Sequence, residues 1–554
     1  MDILQSLGHM IWYVAIPFIV LLGVLVFVHE LGHFLVARAC GVRVEVFSLG
    51  FGKKLFQYKR GDTNYCLSLV PLGGYVKMFG EQPGDTIAPE LRDVSFTHKH
   101  VLKRMAIVLA GPLMNFFFAI LLFALVSLSG EERRPAVLGD IKAESSASVA
   151  GFRSGDRILA VAGRPVETWD QLQNVLNSYM GQEVLFRVQS QEDSSPREIK
   201  APVVAAENPN PLETQKEVGV VEGFESLSKG THVAVLKDSL LQSLGVKTGD
   251  QITSVNDKPI QFWRDLMTQL QGSAGQGTIA IGFTRVDPKS RKSENFTVNV
   301  RNAGPNLKAF GLESTDLYLA EVMKGSPAAK AGLLKGDRLV EISSKNLQSW
   351  DDVLQTIKGY DGSSGPLKFV ILREGALKTL EITPQMTTHM NHLGKEEHRY
   401  TIGISPMISL TSEKAVVVTA AGIGPALASG YQKSYNYTVM TLLSFVRLAQ
   451  GEISPKNVGG VISIGSAASE SFKAGLSYFL QMMGIISISL FVINLLPVPV
   501  LDGGHLLFYT VELVKGSPVS LKKMELAQQV GLVLLMSLML FALYNDFSRI
   551  LGLY

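Results

Sequence analysis

Val28-His29-Glu30-Leu31-Gly32-His33-Phe34-Leu35-Val36-Ala37 sets two imidazoles and a carboxylate inside an apolar stretch that begins at Ile11. Residues 11–28 carry no charge and are numerous enough to cross about 30 Å of hydrocarbon. The apolar sequence resumes at Phe34–Ala37, so the polar residues lie below the membrane surface. An ionisable group there is costly and needs a partner. On a helix, His29 and His33 are four apart and share a face, so both rings can reach one metal ion. Glu30 stands beside them, where it can take a proton from water. A helix end at which these side chains simply meet headgroups fits poorly, because the apolar run continues past them.

Three further uncharged runs, 105–130, 474–501 and 526–545, are also long enough to span. The first run is expected to be a retained span rather than a signal peptide, because Asp2 but no Lys or Arg precedes it and no small-residue cleavage site follows. With 554 residues, 46% of them hydrophobic and 18% charged, and a mean hydropathy of +0.21, the chain reads as a membrane protein with a substantial soluble part. A net charge of +3 gives no basic footprint, so no nucleic-acid partner is expected. Two cysteines, Cys40 and Cys66, exclude a disulfide framework and a Cys-rich metal site. The segment 38–104 holds eleven Lys/Arg against six acids, which places it on the cytoplasmic side. Residues 131–473 then lie outside, and the loop with Lys515, Lys522 and Lys523 returns to the cytoplasm.

Two histidines leave a metal short of a ligand. The expected third is Asp502, the first charge after twenty-eight uncharged residues, in Asn494-Leu495-Leu496-Pro497-Val498-Pro499-Val500-Leu501-Asp502-Gly503-Gly504. Pro497 and Pro499 remove backbone donors and break the helix before it, presenting the carboxylate on an unwound segment. Two imidazoles and one carboxylate leave a fourth tetrahedral position for water, the pattern of a catalytic zinc site.

The middle of the chain repeats. Gly151…Gly155-Asp156, Gly245…Gly249-Asp250 and Gly332…Gly336-Asp337 each place a glycine four residues before a Gly-Asp pair, and Trp169, Trp263 and Trp350 follow the aspartates by thirteen. An alternating strand lies between Asp and Trp, and a short amphipathic helix follows each Trp. The pattern resembles PDZ domains of bacterial envelope proteases, which bind a C-terminal tail or an extended strand at a sheet edge. Spacers without a ligand remain the alternative.

Taken together, the HExxH of the first span, the Asn-x-x-Pro-x-Pro-x-Leu-Asp-Gly stretch and the PDZ-like repeats resemble the site-2 protease family of intramembrane zinc metalloproteases. The likeness extends to Phe51-Gly52, to Pro71-Leu72-Gly73-Gly74-Tyr75-Val76-Lys77, to Gly111-Pro112-Leu113-Met114-Asn115 and to Asn545-Asp546-Phe547-Ser548-Arg549. It implies zinc held by His29, His33 and Asp502, with Glu30 catalytic, and substrate held by Asn494, Pro497 and Pro499. It also implies a membrane re-entrant β-hairpin, in which residues 70–78 with Gly73 and Gly74 offer a strand edge to unwound substrate. The implied activity is endoproteolysis of single-pass membrane proteins within the bilayer, with an anti-sigma factor and signal-peptide remnants as partners besides lipid. The implied location is the bacterial inner membrane, with the repeats periplasmic and the site toward the cytoplasm. Three repeats in place of the family's usual two is a departure.

The expected fold is a polytopic α-helical membrane protein with four spans and a re-entrant β-hairpin, carrying inserted α+β PDZ-like domains. Its segments are 1–38 (first span with HExxH), 39–103 (cytoplasmic-side loop with the hairpin) and 104–130 (second span). The repeats follow at 135–222, 223–305 and 306–390, then a periplasmic linker with an amphipathic helix at 391–473. The last two spans are 474–504 and 524–548. A metal transporter, a scaffold with an inert metal site and a tethered soluble protease are the rivals. Few polar residues in the second and fourth spans, the intact Glu30 and the apolar setting of HExxH oppose them in turn.

Overall fold

Apolar runs become helices because, in hydrocarbon, every backbone N–H and C=O must bond within its own segment. The computed structural model describes residues 11–551 apart from 83–86, 143, 191–194, 211, 274–276, 287–291, 303, 305 and 391–395. The starts of the expected segments 1–38 and 391–473 therefore lie outside the described residues. The chain forms two compact units. One is built mainly from residues up to Glu132 and from Val417 onward, the other from Arg133–Pro209 and Gln215–Val416.

The first unit holds seven of the described helices: α1 (Ile16–Ala39), α2 (Val101–Ser129), α3 (Ile423–Ala449), α4 (Val461–Ala474), α5 (Leu476–Leu495), α6 (Asp502–Lys515) and α7 (Leu521–Ile550). Trp12–Ala39, Val101–Ser129, Leu476–Leu495 and Leu521–Ile550 are long and apolar enough to cross a membrane. Small residues let them approach closely, the usual basis of helix packing in lipid. A Cβ at Gly32 of α1 would lie 2.7 Å from Met114 Cγ of α2, and one at Gly484 of α5 would lie 2.8 Å from the Phe123 ring.

Two expectations change here. The third span does not run to residue 501: α5 ends at Leu495, residues 496–501 leave the helix, and Asp502 opens α6. Asp502 is thus the first residue of a new helix and not part of the unwound segment. The glycines after it let that helix fold back on the break, and a Cβ at Gly504 would lie 2.5 Å from Pro499 Cα. The stretch 391–473 is more than a linker with one amphipathic helix. It contributes strands, α4 and the 27-residue α3, whose Gly430 and buried Ser434 lie on its inner face. Ser429 and Ser127 share a hydrogen bond of 3.0 Å, and Tyr437 stacks on Phe123 at 5.5 Å.

Between α1 and α2 run β1 (Val44–Arg60) and β2 (Thr63–Met78). They do not make a simple hairpin at 70–78. β1 bends at Gly50 and Gly52, both with positive φ, so each strand pairs twice. Residues 46–49 lie between 64–67 on one side and 74–77 on the other, and 54–60 pair with 63–68. The result is four segments in the order 54–60, 63–68, 44–49 and 74–78, the middle pair running parallel and the outer pairs antiparallel, with 74–78 at one edge. Phe51, Leu55, Phe56 and Leu69 are exposed on this ribbon.

In the second unit three α+β bodies share one order of elements, each with its own buried core. Their helices Trp169–Leu176, Trp263–Gly272 and Trp350–Lys358 begin at the repeated tryptophans. Both glycines of each Gly-x-x-x-Gly-Asp have φ between 87° and 98°, which accounts for glycine at that spacing. The aspartate that follows is buried and accepts a backbone N–H three residues upstream. An arginine clamps it: Arg197 on Asp156, Arg285 on Asp250 and Arg373 on Asp337. Each arginine also donates to the carbonyl of the first glycine. Between the second and third bodies, Tyr318 donates to Glu313 while Arg338 pairs with the same carboxylate at 3.2 Å. Burial and that carboxylate push the Tyr318 pKa up, so the hydroxyl stays a donor.

Candidate metal centre

α1 carries His29 and His33 one turn apart, and their Nε2 atoms lie 3.2 Å from each other. Asp502, at the first position of α6, brings Oδ2 to 3.1 Å from His29 Nε2 and 3.6 Å from His33 Nε2. The ligand atoms of these three residues lie within 4.8 Å of one another, the sole such group among the described residues. The three side chains are 14%, 11% and 19% exposed, so two nitrogens and a carboxylate oxygen converge in a mostly buried site. A donor set of this kind fits a divalent zinc-like ion with one position left open. Asp502 also sits where a helix N-terminus stabilises negative charge.

Several residues hold these groups in place. His33 Nδ1 lies 2.9 Å from the Ile107 carbonyl of α2. His29 Nδ1 lies 3.3 Å from the side-chain amide of Asn115, one polar group in an otherwise apolar helix face. Gly111, midway between them, leaves room for the His33 ring, since a Cβ there would lie 2.5 Å from His33 Cε1. At the far end of α6, Arg104 grips Glu512 through two bonds of 2.6 and 3.2 Å and lies over the Tyr509 ring at 4.9 Å. That bidentate pair ties the helix bearing Asp502 to the start of α2.

Glu30 does not join the cluster. Its side chain lies against the strand edge, where a Cβ at Gly74 would meet Glu30 Cγ at 3.0 Å and the Ser48 carbonyl at 2.9 Å. Gly73 faces the Phe51 ring, which would collide with any side chain there. Asn494 is half-buried in the last turn of α5, Pro497 is exposed and Pro499 is half-buried. Pro499 rests on α7, within 3.2 Å of a Cβ built at Gly531. The structure thus brings His29, His33 and Asp502 together and sets Gly74 beside Glu30. Asn494, Pro497 and Pro499 lie on the segment leading into Asp502, outside the three-residue cluster.

Of the supports on α2, Gly111 and Asn115 fall within a stretch that the sequence ties to the family likeness without giving either residue a role. An intramembrane polar group is a functional signal on its own, and the four-residue step from Gly111 to Asn115 puts both on one helix face.

The chain matches peptidase family M50 over residues 17–538. It is 34% identical over 541 residues to Protease RseP of Yersinia pestis, covering 98% of this chain and 99% of that one. It is 32% identical over 545 residues to the Regulator of sigma-E protease RseP of Escherichia coli K12, covering 98% and 99%. A putative zinc metalloprotease of Neisseria meningitidis is 32% identical over 547 residues, covering 97% and 99%. With a match running from the first span into the last and relatives aligned almost end to end, this chain belongs to peptidase family M50 and is a site-2 type metalloprotease.

Proposed function

We propose that this protein cleaves single-pass transmembrane proteins within the bilayer, with zinc held by His29, His33 and Asp502. The observation that carries the reading is the convergence of those three ligand atoms within 4.8 Å, on helices set in apolar sequence. Zinc, when bound, would polarise the scissile carbonyl and acidify water at the open position. Glu30 would be the general base that accepts a proton from the attacking water and gives it to the leaving amine. Its place beside Gly74 supports this role, because substrate laid along the 74–78 edge comes next to the base. Strand pairing suits the chemistry, since a helical substrate keeps its carbonyls in its own hydrogen bonds. Asn494 and the Pro497–Pro499 segment flank the approach to Asp502 and hold substrate there.

Further parts of the reading rest on the relatives and on charge. The sigma-E regulator name of one relative supports an anti-sigma factor as substrate, and the family likeness adds signal-peptide remnants as a second class. The excess of Lys/Arg over residues 38–104 supports a cytoplasmic position for the exposed ribbon, with residues 51–56 and 69–74 re-entering the membrane. The three bodies of the second unit are then PDZ-like and periplasmic, the second keeping Leu307, Phe310 and Leu312 in its core and the third Ile402, past the expected ends at 305 and 390, and the spans sit in a bacterial inner membrane.

Glu30→Gln should keep zinc and lower cleavage of a single-pass substrate by about 10²–10⁴-fold. His33→Ala and Asp502→Ala should lose both zinc and activity. Zinc content measured beside cleavage decides it: a Glu30→Gln enzyme with near-wild-type turnover sinks the mechanism.

A further inference from the structure

Asn115 is wholly buried in α2 and carries an unresolved polar imbalance. Its Nδ2 lies 3.3 Å from His29 Nδ1, while its Oδ1 is buried without a hydrogen-bond partner. The Ser487 hydroxyl of α5 bonds its main-chain carbonyl at 2.8 Å, fixing the backbone there. We infer that Asn115 is a positioning residue, whose side-chain oxygen accepts the Nδ1 proton of His29 and so aims Nε2 of that ring at the metal.

The argument is one of proton inventory. His29 Nε2 is the atom that faces His33 and Asp502. An imidazole that gives its Nε2 lone pair to a metal carries its proton on Nδ1, and that N–H needs an acceptor. An amide NH₂ has no acceptor to offer. A half-turn of the Asn115 amide exchanges its nitrogen and oxygen and puts Oδ1 opposite Nδ1, where it can accept the ring N–H. The opposite arrangement, Nδ2 donating to Nδ1, places the ring proton on Nε2 among the ligand atoms, where it blocks metal binding. His33 provides the parallel. Its Nδ1 faces the Ile107 carbonyl, which can only accept, at 2.9 Å. Ile107 and Asn115 are about two turns apart on α2, so one helix sets the same tautomer in both rings. Gly111 between them gives the His33 ring its space.

This inference rests on the ligand set proposed above, and the two fail separately. The full chain, purified in detergent, is assayed for zinc affinity by competition with a chelator, beside the melting temperature of the metal-free protein. Asn115→Leu keeps the approximate shape and removes the acceptor, and should weaken zinc binding about 10–100-fold. Asn115→Asp offers acceptors only, and should stay within about threefold of wild type. Wild-type affinity in Asn115→Leu overturns the inference. So does a loss in Asn115→Asp as large as in Asn115→Leu, because that result makes the amide a donor. Should leucine lower the metal-free melting temperature, Asn115→Asp against wild type still decides, since a carboxylate cannot donate. Undiminished zinc in His33→Ala would instead overturn the ligand set itself.

Discussion

At the scale of single residues, glycines and one amide do as much as the ligands themselves. His29, Glu30 and His33 are legible from four-residue spacing in an uncharged run, because helix geometry alone puts the two rings on one face. What surrounds them is not. Gly74 is forty-four positions downstream in sequence, yet its Cα hydrogen side faces Glu30, with only 3.0 Å between a Cβ there and Glu30 Cγ. Gly74→Ala should therefore displace the proposed base without touching the metal ligands. The expected outcome is at least tenfold slower cleavage with zinc content unchanged, read by substrate cleavage and metal analysis on the same preparation. Unaltered cleavage would remove Gly74 from the account of the site.

At the scale of elements, the third span shows what hydropathy misses. Apolar sequence continues through Leu501, but Pro497 and Pro499 end α5 at Leu495, and the chain starts again at Asp502. The pair of prolines was readable as a break, whereas the fold-back of α6 through Gly503 and Gly504 was not. The same holds where α4 begins. Asp546 of α7 is buried and accepts the backbone N–H groups of Gly460, Ile462 and Ser463 at 3.0, 2.9 and 3.2 Å, together with the Ser463 hydroxyl. Asn545 donates to the Pro455 and Val458 carbonyls beside it. One helix thus caps another from eighty residues away, satisfying donors that α4 leaves open. Asp546→Ala should cost about 1–3 kcal/mol of stability. Asp546→Asn, which keeps one acceptor, should cost less. Denaturation in detergent checks the order, and equal losses would show that the carboxylate is not acting as a cap.

At the scale of the whole molecule, three cored bodies are inserted in sequence between α2 and α3, so both ends of the insertion join the unit that carries the metal centre. A protease for membrane helices needs a means of refusing intact proteins, and bulk supplies one without any ligand. Replacing 135–390 with a flexible linker should raise cleavage of substrates whose outer domains are intact, and leave cleavage of trimmed substrates nearly unchanged. Gel assays of both substrate types distinguish the models. Slower cutting of trimmed substrates, with intact ones still resistant, would instead make the repeats recruiters.

Local regularities carried the readable part. Uncharged runs specify helices because lipid permits no open backbone. Gly-x-x-x-Gly-Asp recurs because both glycines must take positive φ around a buried aspartate, and four-residue spacing fixes which histidines share a face. The arginine that closes each aspartate comes 41, 35 or 36 residues later, and no period in the sequence announces it. Asp502 meets His29 only when α6 folds back on the break, Asn115 reaches His29 only when α1 and α2 cross at Gly32, and Gly74 reaches Glu30 only when β1 bends at Gly50. Those contacts join positions from about forty to several hundred residues apart. Which chain segments come that close is decided by the packing of small residues across helices and strands, a property of pairs of surfaces that no single stretch of sequence contains.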